Sequence, residues 1–214
     1  MPAVRGLAVV LAAALVLVAV PTSSSAGIDT IGSSLAGSAT SVIQPLQDTA
    51  LTLLTAAGGG RPAVPNSGQV LWVKVKGCAA RQGRHVRPET AIFTQDLRGE
   101  PDGALRVISS SQRFNLPICG VHGASRRSVR RFKPRDQCVA AGDLVGLVVG
   151  GQTPGYPQGT PYFIAKPNQG LSVGTFSGNG ATLNGSRYTF APMADTELLA
   201  RAKIGTGPDS PSRC

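Results

Sequence analysis

Between Gly123 and Cys138 the chain reads GASRRSVRRFKPRDQC. Arg126, Arg127, Arg130, Arg131, Lys133 and Arg135 fall within ten positions, with no acid before Asp136. The planar fork of arginine donates two parallel hydrogen bonds to a phosphate, sulfate or carboxylate, so this run is a candidate grip for a polyanion. The plainer role for the same residues is a solvated face that keeps a sheet edge from pairing. Sequence-specific reading of nucleic acid needs a groove-reading helix or several stacking aromatics, and only Phe132 lies inside the run. Anion contact without sequence-specific nucleic-acid recognition is therefore the expectation.

Two aromatic residues offer a different chemistry. Trp72 falls on the polar side of QVLWVKVKG, beside Lys74 and Lys76, and Tyr156 lies in the glycine- and proline-rich stretch GGQTPGYPQGTPY. Exposed rings of this kind stack on sugar rings, so Trp72 and Tyr156 are candidates for a neutral-carbohydrate platform. The alternative is structural: Trp72 covers the sheet beneath an N-terminal helix, and Tyr156 pins its loop. Phe163, Phe176 and Phe190 read as core.

Catalysis has the least support. His85 and His122 lie in arginine- or glycine-rich stretches with no acid–nucleophile pattern near them, and Asp96, Asp143, Asp195 and Glu197 are scattered. Glycoside hydrolysis needs two carboxylates brought together, which a sequence does not locate. GTFSGNG fits no nucleophile elbow, and GNGATLNG misses the spacing of a dinucleotide-binding loop. Asp195 and Glu197 form a D-x-E pair that would suit calcium only with ligands from other loops. Asn184-Gly185-Ser186 matches a glycosylation acceptor. No metal and no cofactor is expected.

Four cysteines, Cys78, Cys119, Cys138 and Cys214, lack the C-x-x-C spacing of a zinc site, and only two histidines are present. An even count in an exported chain argues for two disulfides. Three pairings are open. The favoured one is Cys119–Cys138, because these residues bracket the basic run, which leaves Cys78–Cys214. Closing the Cys119–Cys138 loop would contribute about 3 kcal/mol through chain entropy.

Export is suggested by the elements that precede these residues. MPAVRGLAVVLAAALVLVAVPTSSSAG has a positive Arg5, an apolar run over 6–20 and small residues at Ser24 and Ala26. This reads as a signal peptide over 1–26, cleaved after Ala26; the run is short of the roughly 20 residues that span a bilayer. Loss of Arg5 would lower the formal charge from +10 to +9. A basic chain outside the cell meets anionic polymers, and charge alone does not choose among them.

Residues 27–67 read as a flexible extension. Ile43, Leu46, Ala50, Leu53 and Leu54 have helical spacing between Pro45 and Gly58–Gly60, which predicts a short amphipathic helix over about 44–57. From Gly68 the texture is all-β to residue 214. QVLWVKVKG alternates, LVGLVVGG is apolar on both faces as a central strand would be, and AAGD and PDG are turns. Turn signals recur every 10–15 residues or so, which predicts a β-sandwich or jelly-roll-like domain over 68–214.

The order KVKGCA, SSSQRFNLPIC, CVAAGDLVGL…GG, YPQGTPY, TFSGNGATLNG and ELLARAKIGTGPD…C resembles a family of secreted actinobacterial β-sandwich proteins. The resemblance covers about 68–214 and rests on turn and cysteine signatures. It implies fold and export, and it carries no catalytic residues over to this chain. The expectation is a secreted, non-catalytic binding or envelope-associated module that contacts an anionic polysaccharide, a teichoic acid or another polyanion through Arg126 to Arg135. The alternatives are a neutral-carbohydrate module using Trp72 and Tyr156, and a secreted hydrolase whose carboxylates the sequence does not locate.

Overall fold

The computed structural model describes residues 27–43, 48–55, 62–79, 89–149, 162–178, 181, 183–207 and 214. These form a two-sheet β-sandwich, with no helix among the described residues. In chain order the strands are β1 (Gly27–Gly32), β2 (Ser41–Ile43), β3 (Thr49–Thr55), β4 (Gly68–Lys76), β5 (Glu89–Gly99), β6 (Leu105–Ser110) and β7 (Phe114–Pro117). There follow β8 (Val129–Phe132), β9 (Cys138–Val139), β10 (Leu144–Val149), β11 (Tyr162–Ser177), β12 (Arg187–Tyr188), β13 (Ala191–Leu198) and β14 (Ala200–Thr206).

The smaller sheet runs β1-β14-β4-β8, with β9 also paired to β4. The larger runs β12-β6-β5-β10-β3-β11-β13, with β2 on β11 and β7 on β5. Period-two alternation sends Val73 and Val75 of β4, and Ala202 and Ile204 of β14, inward. They meet Leu51, Ile92, Leu147, Val173 and Leu198 from the larger sheet in one core. Full burial of each Val, Leu or Ile stabilises the sandwich by about 1.5–3 kcal/mol. The outer side of the larger sheet is also covered. Tyr188 packs there with Leu97 and Val107, and Ala181 with Ala50 and Val148; Phe176 and Phe190 lean on both groups, as their apolar character predicts. β10 consequently has apolar neighbours on both faces, between β5 and β3.

Two expectations for the N-terminal region are corrected. The described part of the predicted helix, Thr49–Thr55, is a strand inside the larger sheet, paired to β10 and β11. Leu51 and Leu53 point to the inter-sheet core, and Ala50 to the outer cluster. A strand buried on both faces loses its alternation, and its apolar residues then fall at helical spacing without forming a helix. The stretch 27–67 is likewise no flexible extension in its described parts. β1 is an edge strand of one sheet among the described residues, and β2 and β3 belong to the other, so the described parts of this stretch are built into the sandwich.

The disulfides differ from the favoured pairing. Cys78 is bonded to Cys119, with Cα atoms 5.1 Å apart, and Cys138 to Cys214, at 5.4 Å. The parallel bridge Ala79↔Ile118 brings the end of β4 beside the residue after β7. Ala79 N–H donates to the Pro117 carbonyl, and Cys119 N–H to that of Ala79, both over short distances. Contact through the sheets, rather than closeness in sequence, selects the partners. The loops closed span 41 and 76 positions, which raises the chain-entropy contribution to about 4 and 4.5 kcal/mol. Two disulfides suit an oxidising environment, and among the described residues no helix is long and apolar enough to cross a membrane.

Candidate functional site

The basic run divides into a turn, a strand and a return loop. Ser125 and Ser128 build the turn: Ser125 N–H donates to Ser128 Oγ (2.9 Å), and Arg127 N–H to Ser125 Oγ (3.2 Å). Arg127 Nε reaches Ser38 Oγ at 3.1 Å, and the Arg126 carbonyl accepts from Ala39 N–H. β8 then pairs antiparallel with β4. Gln112 clasps the return loop, donating from Nε2 to the Lys133 carbonyl (2.8 Å) and accepting from Arg135 N–H (2.9 Å). Phe132 turns inward against Phe114, ring centroids 5.0 Å apart.

Of the six candidates, Arg126, Arg127, Arg131, Lys133 and Arg135 are exposed. Arg130 is different. It pairs with the inward-facing Val75, is half-buried, and has an Nε without a hydrogen-bond partner. The cysteines at the ends of the run are held by two separate disulfides, so each end is anchored to a different part of the sandwich.

The register of the smaller sheet extends the cationic surface well past this run. Arg131 lies across from Lys74, and Lys74 across from Arg201, so three cations line up over β8, β4 and β14. Neighbouring strands are about 4.8 Å apart, so the row is about 10 Å long. In the next outward row Lys203 faces Trp72. Lys74 Nζ sits 4.8 Å from the Trp72 ring centroid and Lys203 Nζ 6.0 Å from it, both within cation–π range. Lys76 continues the outward face of β4; its Nζ donates to the Leu35 carbonyl (2.8 Å), as Arg201 Nε does to that of Ser33 (2.6 Å). The 33–38 segment thus fixes two rim cations by their backbone partners.

Charge is segregated between the sheets. Strands of the smaller sheet carry six cations, Lys74, Lys76, Arg130, Arg131, Arg201 and Lys203, and one acid, Asp29, which accepts from Asn66 Nδ2. Among the described residues no carboxylate is paired with Lys74, Arg131 or Lys203. Four ion pairs are formed instead around the larger sheet: Arg98–Asp143, Arg106–Glu100, Lys166–Glu197 and Arg187–Asp102.

The scattered carboxylates have structural partners. Arg98 grips both oxygens of Asp143 at 3.0 Å, and Ala140 N–H adds a third bond at 2.9 Å. Burial alone would raise the Asp143 pKa, but hydrogen bonds from Arg98, Ala140 and Asp96 hold it below the ordinary carboxylate value. Asp96, buried beside it, is pushed up to about 8, by desolvation first and then by the Asp143 charge. A pKa there favours the protonated carboxyl near neutrality, the form that can share a hydrogen bond with Asp143. Both side chains are closed to solvent, at 1 % and 2 % exposure, so this pair is no open acid–base site for a sugar. Glu197 is held low against its burial by Ser33 Oγ (2.5 Å), Asn168 Nδ2 (3.0 Å) and Lys166, and Asp195 accepts from Gly170 N–H. His122 is exposed in a turn, and no metal-ligating cluster occurs among the described residues.

Tyr156 and His85 lie outside the described residues. Trp72 does not cover a helix: it stands on the outer sheet face, partly exposed, among ammonium groups. Sequence reasoning missed Arg201 and Lys203. Their signal was present in LARAKIG, where Arg201 and Lys203 alternate with Ala200, Ala202 and Ile204. Comparison with protein-family models, curated proteins and solved structures gives no match.

Proposed function

We propose that the protein is an exported, non-catalytic binding module whose partner is an anionic extracellular polymer, an acidic polysaccharide or a teichoic acid among them. The surface that takes it is the outward face of the smaller sheet, Lys74, Lys203 and Arg131, extended by Arg126, Arg127, Lys133 and Arg135 of the adjoining loops. The observation that carries this reading is the segregation of charge: among the described residues Lys74, Arg131 and Lys203 of the smaller sheet have no carboxylate partner, while four ion pairs form around the larger one. Like charges placed directly opposite each other weaken a sheet. Their arrangement Arg201, Lys74, Arg131 across three strands is relieved when a polyanion supplies the missing negative charge. The strands also hold the backbone of Lys74, Lys203 and Arg131 in fixed register, so the ordering entropy lost on binding there is that of the side chains.

Export rests on the leader-like residues 1–26 together with the two disulfides. The neutral-carbohydrate reading through Trp72 and Tyr156 is less favoured, because the indole is flanked by two ammonium groups. The test is chromatography of the oxidised chain on heparin and phosphocellulose. Retention that falls steeply with salt is expected, because binding releases the polymer's counterions. Passage through both columns at low salt overturns the proposal.

A further inference from the structure

We propose that Trp72, Lys74 and Lys203 form a subsite for one ring of an acidic polysaccharide, the indole stacking on the sugar and the two ammonium groups holding its carboxylate or sulfate. This deepens the polyanion reading and rests on it. Trp72 is the one tryptophan of the chain. It projects from β4 on the side opposite Val73 and Val75, so it contributes nothing to the inter-sheet core. Lys74 stands two residues along the same strand, and Lys203 directly across on β14. Both ammonium groups therefore converge on one ring, at 4.8 and 6.0 Å from its centroid, and neither has a carboxylate partner among the described residues.

Two positive groups beside one indole can share a single anion. They lie over the ring, so a ligand reaches the indole face by drawing them aside. A pyranose that carries its own carboxylate or sulfate meets both demands with one residue. Its axial C–H groups lie on the indole while the charged group draws the ammonium groups aside. A ringless polymer such as polyphosphate satisfies only the charges. Single-stranded nucleic acid has stacking bases, but successive bases call for several aromatics along a channel, and among the described residues this face presents one. Insertion into a lipid headgroup layer favours an aromatic projecting past its cations, whereas here the cations lie over the ring.

The experiment uses the chain from Gly27 to Cys214 in its oxidised state, titrated with polygalacturonate, heparin, polyphosphate, dextran, an oligo-dT and anionic phosphatidylserine vesicles. Binding and Trp72 fluorescence are read together. Polygalacturonate and heparin are expected to shift the emission, polyphosphate to bind without doing so, and dextran to do neither. Trp72→Ala should weaken polygalacturonate by roughly tenfold and leave polyphosphate unchanged, which also shows that the variant is folded; Trp72→Phe should recover most of the loss. No binding to any polyanion overturns the polyanion reading itself. Binding to all of them with silent fluorescence and no effect of Trp72→Ala overturns the subsite and leaves that reading standing. Oligo-dT or vesicles matching or exceeding polygalacturonate, with the same Trp72 dependence, overturn the sugar assignment in favour of nucleic acid or lipid.

Discussion

Arg131 on β8 lies directly opposite Lys74 on β4, both pointing away from the core. Opposed like charges in an antiparallel pair cost stability, about 0.2–1 kcal/mol. Arg131→Thr should therefore raise the unfolding free energy by about that amount while lowering retention on heparin. Denaturant titration and a salt gradient, run on the same preparation, check both signs. A variant that is less stable and fully retained would show that Arg131 holds the edge strand and serves no ligand.

The disulfide assignment yields a second prediction. Peptide mapping without reduction should recover Cys78 linked to Cys119, and Cys138 to Cys214. Replacing Cys138 and Cys214 together by serine should cost about 4.5 kcal/mol, since this bridge closes the longer loop. A Cys119–Cys138 peptide in native material would contradict the sheet contacts that bring Cys119 to Ala79.

Asp96 gives the sandwich a pH dependence. Its folded pKa, about 8, lies above the ordinary carboxylate value near 4. Between those values the native state holds a proton that the unfolded chain releases, so this group's contribution falls as pH rises from about 4 to about 8. Asp143 and Glu197 act in the opposite direction. Held low, they lend stability that is lost as pH drops below the ordinary range. Melting temperature should therefore peak in mild acid. Asp96→Asn, which retains a donor toward Asp143, should flatten the decline toward pH 8. An unchanged slope in that variant would remove Asp96 as its source.

Gly146 tests the close fit of the larger sheet. A Cβ there would stand 2.6 Å from Leu97 Cδ1, and Leu97 is a fully buried side chain. Gly146→Ala should cost about 1–3 kcal/mol through overpacking. Gly142→Ala carries a different penalty, because its backbone holds φ at +90° with open space around it. A Gly146→Ala protein as stable as the parent would mean that the Leu97 side chain gives way at no cost.

Much of the sandwich was legible in the sequence. Alternation marked β4 because one of its faces is buried and the other is cationic, and the apolar run marked β10 because both its faces are covered. β3 was misread for that second reason: Thr49, Ala50, Leu51, Thr52 and Leu53 are all buried, so no period of two survives. The cysteine pairing was not legible, since it depends on which strand ends meet across the sheets. The candidate site was half visible. The arginine run stands out locally, but Arg201 and Lys203 come from the far end of the chain, and only β14 pairing with β4 brings them beside Trp72 and Lys74.

The central claim is that position on the smaller sheet, rather than net charge, makes the polyanion surface. Two double variants that remove the same formal charge separate these possibilities: Lys74→Gln with Arg131→Gln, and Arg106→Gln with Arg187→Gln, whose parent arginines are paired with Glu100 and Asp102. The measurement is heparin affinity across a salt series. The first variant should bind markedly more weakly with a shallower salt dependence, and the second should stay close to the parent. Equal losses in the two variants would contradict the account.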